Sequence, residues 1–138
     1  MKEIIDVCAI IINSKKEVFV AKRPEEKSLG GKWEFPGGKQ EVGESLEETI
    51  IREIKEELNS TIKPIKYLGN IEHVYRKMNN SEDFKIIMHA YLCELVDGKL
   101  ELLEHTDSKW VSLDKLSEID LADADKILID DVVEMEMI

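Results

Sequence analysis

"GGKWEFPGGKQEVGESLEETIIREIKEELNS", residues 30–60, sets glycine pairs and a proline directly ahead of a segment dense in glutamate. From Ser45 onward, Leu46, Ile50, Ile54 and Leu58 recur at every fourth position with Ile51 beside them, the apolar stripe of an amphipathic helix over 45–58. Ser45 followed by Glu48 predicts a capping box, in which hydroxyl and carboxylate each satisfy a free backbone N–H of the first turn. Asn59 tolerates a left-handed backbone and can end the helix. On a helical wheel Glu53, Glu56 and Glu57 fall at about 0°, 300° and 40°, while Ile50, Ile54, Leu58 and Ile51 span about 60° to 160°. When that stripe packs in a core, a ridge of carboxylates is held at the core's edge.

The rest of the chain bounds what such a ridge can serve. A length of 138 residues fits one domain, 1–138, and 43% hydrophobic with 36% charged residues describes a globular protein. With 19 basic against 30 acidic side chains the net charge is −11, which repels duplex nucleic acid and anionic membrane surfaces. A polyanionic small molecule then needs a local basic group, or a divalent cation held by the acids, which inverts the sign where it binds. Cys8 and Cys93 each sit inside an apolar run and read as buried free thiols of a reducing compartment. The run "IIDVCAIII" is interrupted by Asp6 and shorter than a membrane span, so a cytoplasmic protein, monomer or homodimer, is expected.

No repeat or linker divides the chain. Residues 4–12 are β-branched, 13–17 supply a turn and 18–23 run on, which together read as a hairpin. After the helix, 61–77 and 84–95 read as long strands joined by the polar turn "MNNSED" (78–83), and 97–104 and 108–113 as shorter strands. Residues 122–137 carry Ile127, Leu128, Val132 and Val133 at roughly helical spacing and suggest a closing helix. The order β-β-helix-β-β-β-helix implies an α/β domain, a mixed sheet layered with helices.

Like charges three and four residues apart cost an isolated helix about 0.2–0.5 kcal/mol per pair. A bound Mg²⁺, which takes oxygen ligands and is held by one or two carboxylates plus substrate phosphates, removes that cost. An E-x-x-E-E run alone reads more simply as a solvated helix face. Here it is part of a larger pattern, because Gly38, Glu44, Arg52, Glu53, Glu56 and Glu57 stand at spacings G-x5-E-x7-R-E-x-x-E-E. Six fixed residue types match by chance with probability on the order of 10⁻⁷ per starting position. The pattern resembles the Nudix box, G-x5-E-x7-R-E-U-x-E-E-x-G-U with U apolar, and Ile54 fits its first U. Asn59 stands where the box has Gly, and Ser60 where it prefers an apolar residue. Both departures bear on helix-end packing, since neither position is a metal ligand in the family.

The resemblance implies a Nudix fold, a mixed β-sheet sandwiched between α-helices, and a metal site. It maps the metal ligands onto Glu53, Glu56 and Glu57 with the Gly37-Gly38 backbone and Lys39 beside them, and makes Arg52 the residue that orients the carboxylates. Glu44 fills the first acidic position, where it can brace the loop, bind a metal, or simply face the helix dipole as a first-turn acid. Along nearly the whole chain, "AKRP", "KWEFPGGKQEVGES" and "LEHTDSKWVSL" look most like MutT-type nucleoside triphosphate diphosphohydrolases and their CTP pyrophosphohydrolase relatives. In the last element Glu104, six residues before Trp110, matches the family's distal glutamate, and Trp110 is read as core.

That branch cuts nucleoside triphosphates to a monophosphate and pyrophosphate by in-line attack of water at the β-phosphorus, with Mg²⁺ as cofactor and Mn²⁺ a possible substitute. Glu53 is the expected base and Glu104 its rival, because a carboxylate cluster titrates as a unit. Arg23 matches the branch's basic residue, suited to a phosphate oxygen. Phe35 is a candidate to stack on a base, and Tyr75 and Phe84 are further candidates without a matching motif. Asp125 falls where the branch reads the nucleobase edge, or else is an N-cap for the last helix. Ionised, Asp125 suits a cytosine amine; protonated, it can also donate to an oxidised guanine. His73, His89 and His105 are read as structural, and Glu34, Glu41, Glu47 and Glu48 as solvated or capping. The leading expectation is 8-oxo-dGTP sanitation, with CTP, dCTP or modified dCTP as the alternative substrate. A non-catalytic nucleotide sensor and an adaptor with an acidic docking helix are the competing classes.

Overall fold

β1 (Lys2–Ile11) loses polar alternation beyond Asp6, and Val7 to Ile11 are all buried. A strand reads this way when both of its faces are covered. In the computed structural model, which describes residues 1–25, 30–76 and 82–133, β1 lies inside a mixed sheet. It pairs in parallel with β6 (Phe84–Asp97) and antiparallel with the short β4 (Gly37–Lys39), and β5 (Thr61–Tyr75) completes the order β4-β1-β6-β5. A second sheet, in the order β3-β2-β7, holds β2 (Glu17–Lys22), β3 (Trp33–Glu34) and β7 (Asp107–Ser112). Side chains of β1 then part by parity. Val7, Ala9 and Ile11 pack with Ile50, Ile54 and Leu58 of α1 (Leu46–Leu58). Cys8 and Ile10 pack with Ala124 and Leu128 of α2 (Asp123–Leu128) on the opposite face. The result is the expected α/β sandwich, and both cysteines are free and buried.

The expected hairpin does not form as one. β1 and β2 touch through a single antiparallel bridge, Ile12 with Val18, and then diverge into different sheets. Both edges of β1 are already taken by β4 and β6, so β2 has no edge to pair with. Nor do residues 97–104 form the expected strand beyond the end of β6. Their backbone turns to the end of α1, where the N–H groups of Glu101 and Leu103 donate to the carbonyls of Leu58 and Glu57 at 2.9 and 3.1 Å. Those carbonyls have no partner within the helix, and the loop supplies one. The closing helix forms as α2 and continues in a wider helical turn at Ile129–Val133, and 134–137 lie outside the described residues. Residues 78–81 of the expected 78–83 turn also lie outside them. Ile51 faces solvent at 39% exposure, and Trp110, expected in the core, is 38% exposed and packs edge-on against Phe19.

Both ends of α1 form as read. Ser45 and Glu48 make the reciprocal capping box, and Asn59 closes the helix at φ 47°, ψ 43°. Ser60 is 1% exposed, and its hydroxyl donates to the Leu58 carbonyl and accepts from the Leu100 N–H, each at 2.9 Å. The departure from an apolar residue is thereby explained: this hydroxyl ties the helix end to the loop that follows β6. Ser60→Ala strands a buried donor, so a loss of about 1–3 kcal/mol is expected in chemical denaturation. An unchanged midpoint would show that another group satisfies Leu100.

Candidate active site

The N-terminal half of α1 is bound to the glycine strand by one guanidinium. Arg52 grips Glu44 with two bonds, Nε to Oε2 at 2.7 Å and Nη2 to Oε1 at 3.0 Å. Its Nη1 donates to Glu53 at 3.0 Å and Glu56 at 3.2 Å, and its Nη2 also reaches the Lys39 carbonyl at 3.0 Å. Arginine's planar fork suits this shared bidentate role. The Arg52 bonds, and next the backbone N–H of Glu41, hold the Glu44 carboxyl down at about 2. Glu44 also accepts from the Thr49 hydroxyl at 3.0 Å, so it braces loop and helix at once. Glu56 points outward, with 57% of its side chain exposed.

Glu53 and Glu57 face inward. A Cβ built on Gly38 would overlap the Glu53 carboxyl, with Oε1 2.6 Å away, so glycine is what lets the carboxylate lie against β4. A Cβ on Gly37 would overlap the Val7 carbonyl of β1 and come 2.7 Å from the Cys8 Cα. Glu57 accepts from the Gly37 N–H, while its Oε2 is buried without a hydrogen-bond partner. Burial first, then the charges of Glu34, Glu53 and Glu104, push its carboxyl up to about 9. Burial also raises Glu53, against the opposing pull of Arg52. The loop that caps α1 brings in Glu104, and a small cavity of about 50 Å³ lies among Arg23, Glu34, Glu57, Glu104 and His105.

Glu34 is not solvated, as expected from sequence, but bridges Arg23 at 3.0 Å and His105 Nε2 at 2.8 Å. His105 is 71 positions away, so no local pattern announces the pair. Beyond these groups opens a cavity of about 920 Å³ that reaches from Gly37, Gly38 and Lys39 to Asp125, Tyr75 and Phe84. Asp6 lines it too, a residue that sequence reading passed over as an interruption in an apolar run. Phe35 is 3% exposed and packs in the core while also lining this cavity, and Tyr75 with Phe84 adds an aromatic pair there, stacked at 5.2 Å and 21°. Asp125 is not the N-cap of α2: Ala122 holds that position. Instead the Asp125 carboxylate accepts from the Phe35 N–H at 2.8 Å, and burial, then Glu34, raise it well above the usual carboxylate range.

Among the described residues no three His, Cys, Asp or Glu side chains are grouped as a ready metal site. The donors nevertheless suit a hard divalent cation: they are carboxylate oxygens, and the Glu57 Oε2 is buried and unpaired beside Glu53 and Glu104. Glu53, Glu56, Glu57 and Glu104, with the Gly37 backbone, are the residues whose chemistry suits one, and Arg52 pairs with both Glu53 and Glu56.

An arginine-braced acidic helix thus lies against a glycine strand beside the large cavity. The NUDIX domain model matches residues 2–132, and the chain belongs to the Nudix family of hydrolases. It is 30% identical over 129 residues to an Escherichia coli K12 protein named 8-oxo-dGTP diphosphatase, covering 94% of this chain and 95% of that one. It is 32% identical over 124 residues to the E. coli K12 CTP pyrophosphohydrolase, covering 89% and 87%. Among solved structures, the MutT protein of Methanosarcina mazei Go1 superposes with a TM-score of 0.79 at 30% identity, covering 94% of this chain and 91% of that one.

Proposed function

We propose that this chain is a Mg²⁺-dependent pyrophosphohydrolase of nucleoside triphosphates, with 8-oxo-dGTP as its leading substrate and a place in nucleotide-pool sanitation in the cytoplasm. The observation that carries the reading is the buried, unpaired oxygen of Glu57, a carboxyl that feels the charges of Glu53 and Glu104 and lines the 920 Å³ cavity beside the glycine strand. A bound Mg²⁺ supplies charge neutralisation at phosphate oxygens and acidifies water. Glu53 takes the proton of the water that attacks the β-phosphorus, with Glu104 the rival, and Arg52 sets the orientation of Glu53. Arg23 offers a charge-assisted bond to phosphate. The bond to the α–β bridging oxygen breaks, which leaves monophosphate and pyrophosphate.

Asp125 tilts the choice of base. Burial raises its carboxyl and so favours the neutral form, and a neutral carboxyl donates to a purine carbonyl such as an oxidised guanine offers, where the ionised form would accept from a cytosine amine. CTP, dCTP and modified dCTP remain the second reading, supported by the likeness to a CTP pyrophosphohydrolase. With 8-oxo-dGTP, dGTP, CTP and dCTP compared by kcat/KM in Mg²⁺, 8-oxo-dGTP is expected to lead; a preference for ADP-ribose or dinucleoside polyphosphates would overturn both readings.

The Arg52 brace gives a separate expectation. Arg52→Lys keeps the charge but loses the fork that joins Glu44, Glu53 and the Lys39 carbonyl. Turnover should fall about 10- to 100-fold, the usual cost of removing a group that orients metal ligands. Raising Mg²⁺ should recover part of it. Turnover equal to that of the unaltered protein would mean that charge alone suffices.

A further inference from the structure

β1 sets a carboxylate into the floor of the large cavity. Lys2, Ile4, Asp6 and Cys8 alternate toward it along the strand, and the β6 residues in register with Ile4 and Asp6 are Ile86 and Met88, which line it as well. Asp6 thus stands between the apolar β6 residues on one side and Lys39, its strand partner on β4, on the other. Burial holds its carboxyl above the usual range, against Lys39 and with the help of Glu34. No described residue donates a hydrogen bond to its side chain. Asp6 is half-buried on the cavity wall, and burial even in part is costly for a carboxyl, whereas a valine here would simply continue the apolar run of the strand. The cost is offset if a ligand brings the donors.

Charges around Asp6 show where along the cavity it lies. Lys39 and Arg23, near the glycine strand, act on it, and Asp6 in turn acts on Asp125. A nucleotide with its phosphates at Gly37–Lys39 and its base at Asp125 therefore passes its nucleoside part across Asp6. Resting on the cavity's reading as a nucleoside triphosphate site, we infer that Asp6 is a specificity-determining residue that accepts a hydrogen bond from the nucleoside part of the substrate, from a base amine or a sugar hydroxyl. This would give the site a second acidic reader beside Asp125, on a different element of the fold and contributed by a strand rather than a helix.

Nucleotide pairs that differ in one donor distinguish the two sources. dGTP against dITP probes the exocyclic amine, and GTP against dGTP probes the 2′-hydroxyl. The unaltered protein is expected to favour the donor-bearing member of at least one pair by about 10-fold or more in kcat/KM. Asp6→Val should abolish that preference with an equal or higher melting temperature. Asp6→Asn, which keeps an acceptor but loses the charge, should lower the preference by about threefold. Turnover with the same ratios in all three proteins would overturn the inference alone. Absence of any turnover by the unaltered protein would overturn the substrate reading and the inference with it.

Discussion

Glu53→Gln is expected to lower kcat about 10³-fold while nucleotide binding persists. The variant keeps the shape of the side chain against Gly38, where no Cβ intervenes, and keeps an oxygen for the Arg52 bond at 3.0 Å. It loses the proton acceptor and one unit of negative charge. General-base catalysis contributes about 10² to 10⁴ in rate, and the loss should fall in kcat more than in KM. Binding is read by calorimetry with a non-hydrolysable nucleotide and Mg²⁺. Unchanged turnover would transfer the base to Glu104; loss of binding as well as turnover would make Glu53 a ligand first.

Glu57→Gln is expected to change stability in the direction opposite to most buried substitutions. Because the folded-state carboxyl sits near 9, well above its ordinary 4.5, the metal-free folded protein holds a proton that the unfolded chain releases. That contribution is complete below about pH 4.5 and is lost as pH rises towards about 9. Glutamine stays neutral throughout, so in the metal-free state the variant should be the more stable protein above neutral pH. Addition of Mg²⁺ should stabilise the unaltered protein there and the variant little, since binding to the folded state alone shifts the equilibrium. The variant should also lose turnover about 100-fold or more. Thermal melts between about pH 5 and 9, with and without Mg²⁺, read all of this. A pH-independent melt, or equal Mg²⁺ shifts in both proteins, would remove Glu57 from the metal site.

What was legible in the sequence follows from how local its causes are. α1 was readable to its caps because the capping box, the apolar stripe and Asn59 all act within a turn or two. The Arg52–Glu44 brace sits inside one motif and came with it. Strands β3 and β4 were not readable, since two or three residues of loop sequence carry no period. Pairing misled in the same way: β1 and β2 look like a hairpin by composition, but the edges of β1 belong to strands far away in the chain. The loop after β6 alternates like a strand, yet its partners are the helix-end carbonyls. Glu34 and Asp6 matter through neighbours brought in by folding, His105 and Arg23 for one and Lys39 and Asp125 for the other. Phe35 shows the converse, a motif residue whose ring the fold uses for its core.

The central claim is the reaction itself, and product analysis tests it most directly. Purified protein incubated with 8-oxo-dGTP should release the monophosphate and pyrophosphate in equal amounts with Mg²⁺, and neither once a chelator is added. Release of a nucleoside diphosphate with inorganic phosphate, turnover that survives the chelator, or no turnover at all would contradict the account.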